Sequence, residues 1–420
     1  MLETAELTIL ALDRDGEGLT ADGQAVFAAL PGERVRARRE GARWATDEVL
    51  EESAERAAPI CPLFGRCGGC AAQHMAPSIY REWKRQRVVA ALGKASLEVE
   101  VAPLVEAHGR GRRRAIFHAR FSADAVIEVG FMRRRSHAIV EIAGCPLLSP
   151  ELAGAPAIAR ELARAAASAG KPLDIQLTAS AAGVDADLRG LGAPSPELAK
   201  ALVRRAEALD LARLSVHGEV LIERRAPALI IDGVTLVPPP GGFLQATEAG
   251  EDAIAALALP PLKAAKRVAD LFCGCGAFAL RLARRHRVLA LDADRAAIDA
   301  LAQASARAPD RRPIAAERRD LFQRPLQREE LDGFEGVLFD PPRAGAEAQA
   351  RALAASAVPV VVAVSCNAET FARDARLLAE GGYRLRLATP IDQFLYSPHV
   401  EIVGVFERKS PSRRRKGLLG

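Results

Sequence analysis

The sequence predicts an α/β chain whose C-terminal part is a doubly wound, mainly parallel sheet, preceded by two smaller units. Three observations lead there. From residue 236 onward, apolar strand-like runs alternate with helix-like stretches, as a parallel sheet with crossover helices requires. Residues 1–50 instead string short β-rich runs between Gly and Asp turns, the pattern of a small barrel. Residues 51–235 are mixed, with a cysteine-bearing stretch, a helical pattern and short strands.

The bulk numbers suit this division. A chain of 420 residues, 49% hydrophobic and 26% charged, is long enough for two or three domains. No apolar run approaches the roughly 20 residues that span a bilayer. The opening MLETAELTIL carries acids and no basic region, a poor signal peptide, so a cytoplasmic protein with no membrane partner is expected. Seven cysteines are too few for a disulfide scaffold and point to metal binding or catalysis. Net charge is only +5, but GRGRRR at 109–114 and RRR at 133–135 and 413–415 concentrate it. Such clusters attract phosphates, although the Ala and Arg abundance also fits a GC-rich genome.

In chain order, the N-terminal runs are ELTILALD, QAVFAAL, PGERVRARRE and WATDEVL. A helix is predicted around 77–93 and another at ELARAAASAG, with strands at DIQLTAS and APALIID. VPPPGG at 237–242 is punctuation. Seven strands follow: RVADLF, RVLALDAD, RRPIAAERRD, GVLFDPP, PVVVAVS, RLRLATPID and HVEIVGVFE. Ligands of such sheets bind beyond the carboxyl ends of the strands, and the chemistry-bearing residues cluster there.

DLFCGCGAFALRLAR (270–284) reads as strand, glycine turn and helix. Gly274 and Gly276 would let backbone approach a ligand. The next strand ends in LDAD, where Asp292 can hold ribose hydroxyls, with Asp294 close by. Together these suggest a nucleoside-type cofactor. In FDPPRAG (339–345) two prolines stiffen a loop from which Asp340 and Arg343 project. VVVAVSCNAETFARD (360–374) sets the lone Cys366 at a strand end. In HVEIVGVF (399–406) alternation puts Glu401 on the face opposite Val400 and Ile402, where partial burial would make it a usable base. Finally Cys61, Cys67 and Cys70, with Cys145 a plausible fourth ligand, suit either zinc or an iron–sulfur cluster, and spacing does not decide.

Taken together these residues resemble the RNA uracil-C5 methyltransferase family, in particular the type acting on 23S ribosomal RNA. Segment 1–50 looks like its TRAM barrel, GRRRAIFHARF and VGFMRRRSHAIVEIAGCPLL its central segments, and GGFLQ the start of its methyltransferase domain. DLFCGCG, FDPPR, SCN and DQFLYSPHVE fall in the family's order. The resemblance implies a TRAM-like RNA-binding barrel at 1–50, a central domain at 51–235 with a [4Fe–4S] cluster on Cys61, Cys67, Cys70 and Cys145, and a class I Rossmann-like domain at 236–420. It implies S-adenosylmethionine contacts at Gln245, Phe272, Asp292, Asp320 and Asp340, Cys366 as nucleophile, Glu401 as base, RNA as partner and a monomeric enzyme. Four positions depart from the family pattern: Thr247 for the usual Asn, Cys275 for a small apolar residue, Leu395 for Pro, and Asp292 for the commoner Glu.

The implied chemistry needs such residues. A thiolate adding at C6 of uracil makes C5 electron-rich enough to take a methyl group, and a base then removes the C5 proton so that the thiol can leave. A lowered thiol pKa would help the first step, and the uridine must be drawn from its stack. Barrel and arginine clusters would hold phosphates, whereas Phe117, Phe121 and Phe131 are expected mainly in the core. Cytosine-C5 methylation is disfavoured, because DPPR lacks the second cysteine of that RNA family. The tRNA branch characteristically lacks the barrel and the cysteine cluster. A catalytically inactive RNA-binding iron–sulfur protein is the alternative of a different class.

Overall fold

A computed structural model describes residues 3–121 and 127–408; the arginine run at 413–415 lies outside them. The chain builds three main sheets. The first has the order Thr4–Thr8, Arg34–Glu40, Arg43–Glu51, Ala25–Phe27, Gly18–Leu19, Ala11–Leu12, and closes on its own small core of Ile9, Val26, Ala29, Val35, Ala37 and Trp44. Its ladder is open, with Thr4–Thr8 and Ala11–Leu12 at opposite ends of the order.

The second sheet has seven strands, from Ile139–Glu141 at one edge to Glu219–Glu223 at the other, with Arg114–Phe121 and Leu173–Ser180 paired at its centre. Alternation along Arg114–Phe121 turns Ala115, Phe117 and Ala119 inward, against helices Ala155–Ala166 and Pro196–Ala208. Phe117 is fully buried and stacks on Phe131 at 5.0 Å, and Phe121 packs on the same core. These rings build the fold.

The third sheet is the expected doubly wound one. All seven predicted strands are present, in the order Ile314–Arg318, Arg287–Asp292, Arg267–Leu271, Gly336–Phe339, Val360–Ser365, Glu401–Arg408, Tyr383–Asp392. The first five are parallel and the last two antiparallel to their neighbours. An eighth, Val105–Glu106, adds to Tyr383–Asp392. Continuous apolar runs fit strands covered on both faces: one core holds Ile254, Phe278 and Leu301, the other Val88, Leu353 and Phe371. Helix Pro77–Lys94 contributes Val88 and Leu92 to the second core. Residues 77–106 therefore pack with this sheet, although the sequence groups them with the middle unit.

Candidate active site

A cavity of about 470 Å³ opens beyond the carboxyl ends of the third sheet, a size that suits a small-molecule ligand. Gln245, Phe272, Asp292, Asp320, Asp340, Cys366 and Glu401 all line it. Residues spread over 157 positions of chain (401 minus 245, inclusive) thus meet in one place.

The thiol is set by the hinge between a strand and a helix. Val360–Ser365 ends at Ser365, whose hydroxyl accepts from the Asn367 N–H at 3.2 Å. Asn367 then caps helix Ala368–Glu380, its Oδ1 accepting from Glu369 N at 3.0 Å, while its amide nitrogen donates to Arg343 O at 3.2 Å. Such caps fix where a helix begins, so Cys366 is held at the lip between strand and cap. The antiparallel ladder ends with Ser365 paired to Ile402, so Cys366 and Glu401 are the next residues of two adjacent strands, and both line the cavity. Val400 and Ile402 point into the core and Glu401 to the cavity, as alternation requires. At 4% exposure, Glu401 is no surface glutamate.

Burial sets the electrostatics. Loss of water raises Glu401 and Asp340 well above ordinary carboxyl values, and Asp340 raises Glu401 further. Burial, then Glu401 and Asp340, push the Cys366 thiol up to about 11, with Arg343 opposing. The lowered thiol pKa that would help the first step is therefore not what the fold supplies by itself: burial first, and the two carboxyl groups second, outweigh the one guanidinium. A cation entering the cavity would favour the ionised form of each carboxyl group.

At the cofactor end, Phe272 adopts φ +61°, a left-handed conformation uncommon for an aromatic residue. That turn brings its ring to Phe322 at 5.4 Å. Gly274 donates its N–H to Asp292 Oδ2 at 2.9 Å, and Asp294 N donates to Oδ1 at 2.9 Å. A Cβ on Gly274 would meet nothing, so this glycine leaves the cavity floor open; on Gly276 it would stand 2.3 Å from Leu301 Cδ1, so that glycine serves helix packing. Asp320 accepts from Phe322 N at 2.9 Å and shapes its own turn. Thr247, one of the departures, caps helix Glu248–Ala258 and donates to Ala107 O at 2.7 Å. Leu395 packs beside Tyr80 and Trp83, and Cys275 lines the cavity wall.

Two functional side chains escaped the sequence reading. Gln393, 1% exposed, donates from Nε2 to Gln245 Oε1 at 2.6 Å and to Glu401 Oε1 at 3.2 Å, and Gln245 Nε2 donates to Asp340 Oδ2 at 3.1 Å. Asp270 is fully buried with no partner for either carboxylate oxygen, and its pKa is raised far by burial and by Asp340 and Asp292. An acid interrupting an apolar strand was the available signal for Asp270; a glutamine after an aspartate offers almost none.

The four cysteines line a second cavity, of about 720 Å³, together with Arg112. All four are free thiols. Among the described residues no group of three or more His, Cys, Asp or Glu side chains stands close enough to hold a single metal ion. A cluster is gripped at its corners, so its ligands stand farther apart than those of one ion. Arg112 adds a buried Nε without a partner and lowers the pKa of Cys67, Cys70 and Cys145 against the rise that burial imposes. Four thiols beside an uncommitted guanidinium fit an anionic, thiolate-held group.

The arginine clusters are less free than their sequence suggests. Arg113 is buried and paired with Glu251 at 2.6 Å. Arg134 pairs with Glu40 at 2.7 Å and lies over Phe27, while Arg135 pairs with Glu17 at 2.8 Å. These bonds fasten the first sheet to the second. Arg110 pairs with Glu151 at 2.9 Å; Arg114, lying over the exposed ring of Phe243, and the exposed Arg133 remain for phosphates. No helix among the described residues is long and apolar enough to cross a membrane.

Comparison with known proteins agrees. Residues 258–410 match the model of the tRNA (uracil-5-)-methyltransferase family. A protein of Brucella suis biovar 1, named as an uncharacterized RNA methyltransferase, is 44% identical over 97% of this chain and 98% of its own. The 23S rRNA (uracil(1939)-C(5))-methyltransferase RlmD of Halomonas elongata is 32% identical over 98% of this chain and 91% of its own. The crystal structure of Pyrococcus abyssi tRNA (uracil-54, C5)-methyltransferase, in complex with S-adenosyl-L-homocysteine, shares the fold with a TM-score of 0.72 at 23% identity, over 96% of this chain and 99% of that one. The chain belongs to the S-adenosylmethionine-dependent RNA uracil-C5 methyltransferase family.

Proposed function

We propose that this enzyme methylates C5 of a uridine in 23S ribosomal RNA, in the cytoplasm, through a transient bond between Cys366 and C6. The observation that carries the reading is the register: one step beyond the pair Ser365–Ile402, thiol and carboxylate come next on two adjacent strands and line one cavity with the cofactor candidates.

S-adenosylmethionine supplies an electrophilic methyl group on a cationic sulfur. Gln245, Phe272, Asp292, Asp320 and Asp340, which line the cavity, would hold it, Asp292 being placed at the strand end where an acid takes ribose hydroxyls. That positive charge beside Asp340 and Glu401 favours their ionised forms. Cys366, aided by Arg343, adds as thiolate to C6 of the extruded base, and C5 becomes the nucleophile that would take the methyl group as its bond to the sulfonium sulfur breaks, S-adenosylhomocysteine leaving as the neutral thioether. Glu401, ionised and freed of water, takes the C5 proton. The Sγ–C6 bond then breaks and the ring regains its double bond. Cys61, Cys67, Cys70 and Cys145 would hold a [4Fe–4S] cluster, whose role would be structural and outside these steps.

The 23S assignment is favoured by the Halomonas elongata relative and by the cysteine set. Architecture alone does not separate ribosomal from transfer RNA, since the Pyrococcus abyssi tRNA enzyme matches nearly the whole chain. RNA carrying 5-fluorouridine tests the chemistry, because fluorine cannot leave as the proton does. Wild type incubated anaerobically with cofactor should form a gel-shifted covalent adduct that Cys366→Ala does not form. Mapping 5-methyluridine in ribosomal and transfer RNA from a deletion strain then decides the substrate.

A further inference from the structure

We infer that Gln393 is a positioning residue, which holds the base Glu401 in line and ties it to the cofactor-binding pair Gln245–Asp340. This deepens the proposed function and rests on it. Asp340, Gln245, Gln393 and Glu401 form a chain of alternating carboxyl and amide groups, linked at 3.1, 2.6 and 3.2 Å.

The polarity of that chain is dictated from its carboxyl end. Asp340 accepts, so Gln245 must turn its NH₂ toward it and its oxygen away. That oxygen in turn requires a donor, so Gln393 presents its NH₂, and the same nitrogen reaches Glu401. Turning Gln393 over would set its oxygen against two acceptors. Its own oxygen faces Thr247 N at 3.4 Å. The space is cut to shape: a Cβ on Gly250 would stand 2.7 Å from both Cβ and Oε1 of Gln393. Asp392, the preceding residue, is anchored with no exposure by Lys84 at 2.6 Å and by Tyr80 and His108. Neither end of Gln393 can drift.

A buried carboxylate with one amide donor is held in one rotamer and ionises more readily than a bare one. The groups facing Glu401 are Asp340 and Cys366, which oppose its charge, and Lys84, which favours it; Arg343 lines the same cavity and acts on the thiol. Gln393 adds the one uncharged donor. Moving Gln245 to meet a cofactor therefore moves the group that aims the base.

The test uses full-length Gln393→Met and Gln393→Glu, which keep the shape but lose the amide donor. For whichever melts as wild type does, three results are expected. The 5-fluorouridine adduct forms at the wild-type rate, since that trap needs no proton removal. Turnover on natural RNA falls about tenfold or more, the loss of one hydrogen bond to a charged group, with KM for RNA little changed. For Gln393→Met the midpoint of the rising limb of kcat against pH moves up by about one unit. Wild-type kcat and an unmoved midpoint in both variants would overturn the inference, as would equal loss of adduct formation and turnover. Absence of adduct from wild type itself would instead sink the proposed function.

Discussion

Two cavities hold the residues singled out from sequence, and they are built in opposite ways. In the catalytic cavity, side chains sit at strand ends or helix caps, and hydrogen bonds among them run from Asp340 to Glu401. In the cysteine cavity, Cys61, Cys67 and Cys70 lie in a stretch, 52–76, with turns and bridges but no helix or strand, and Cys145 follows another loop. Its thiols meet local donors: Gly69 N lies 3.4 Å from Cys67 Sγ, and the Leu147 backbone and the Gln73 side chain serve Cys145 and Cys70. The first is organised before any ligand arrives, as catalytic groups on a rigid scaffold should be. The second would be completed by the cluster proposed for its thiols.

The largest effect that can break this contrast belongs to Cys366. Cys366→Ala should reduce methyl transfer by at least about 10⁴-fold, as loss of a nucleophile does, yet melt with wild type. Its thiol is free and only half-buried, touched by no backbone donor but its own residue's, so chemistry and stability should separate. Undiminished methyl incorporation would remove the covalent mechanism altogether.

Glu401→Gln comes next. Loss of a positioned base costs about 10²–10⁴-fold in turnover, and because the earlier steps survive, natural RNA should accumulate as a methylated covalent complex. Burial and Asp340 raise the Glu401 pKa, so its ionised, proton-accepting form grows as pH rises. Wild-type kcat should therefore climb toward alkaline pH; a flat profile from pH 6 to 9 would contradict a rate set by this group.

What could be read in advance follows the same division. The seven strands of the third sheet were legible because strand-like runs alternate with helix-like stretches, most of them continuously apolar, and the strand-end motifs because Gly, Pro and acids mark turns. Val105–Glu106 was not: two residues carry no period, and their partner Ile391–Asp392 is remote in sequence. Nor was the fate of the arginines. RRR at 133–135 looks like a phosphate clamp until Glu17 and Glu40, from another sheet, are brought beside it. The raised thiol pKa was not legible either, since it comes first from burial and then from Glu401 and Asp340, which different strands bring to Cys366.

A third measurement sharpens the claim that the catalytic cavity is pre-built. Lys84, on helix Pro77–Lys94, and Asp392 are both fully buried and paired at 2.6 Å. Desolvation draws Lys84 down to about 8 despite its partner, while His108, Lys84 and Tyr80 hold Asp392 at about 2 against burial. Removing one partner of a buried pair costs about 3–5 kcal/mol, and Lys84→Met should lower denaturant stability by that order. The Asp392 contribution is present at neutral pH and lost as pH falls from the ordinary carboxylate range toward 2. On the other side of the comparison, Cys67→Ala or anaerobic iron chelation should speed proteolysis within 52–76 by about tenfold through local opening, and leave cofactor binding in place. Iron absent from freshly purified protein, with 52–76 still protected, would return the four thiols to zinc or to no metal.

The smallest effect tests the Thr247 departure. Its hydroxyl accepts from Gly250 N at 2.8 Å and donates to Ala107 O at 2.7 Å, at 1% exposure. It is a helix cap tying the cofactor segment to the chain beside Val105–Glu106. Asparagine caps helices at least as well as threonine, so Thr247→Asn should change stability by less than about 0.5 kcal/mol, whereas Thr247→Ala should cost about 1 kcal/mol. Cofactor affinity should follow the cap: unaltered in the first variant and weakened only modestly in the second. A gain in affinity with asparagine would instead mean that this position touches the cofactor directly, and that threonine here trades a ligand contact for a fold contact.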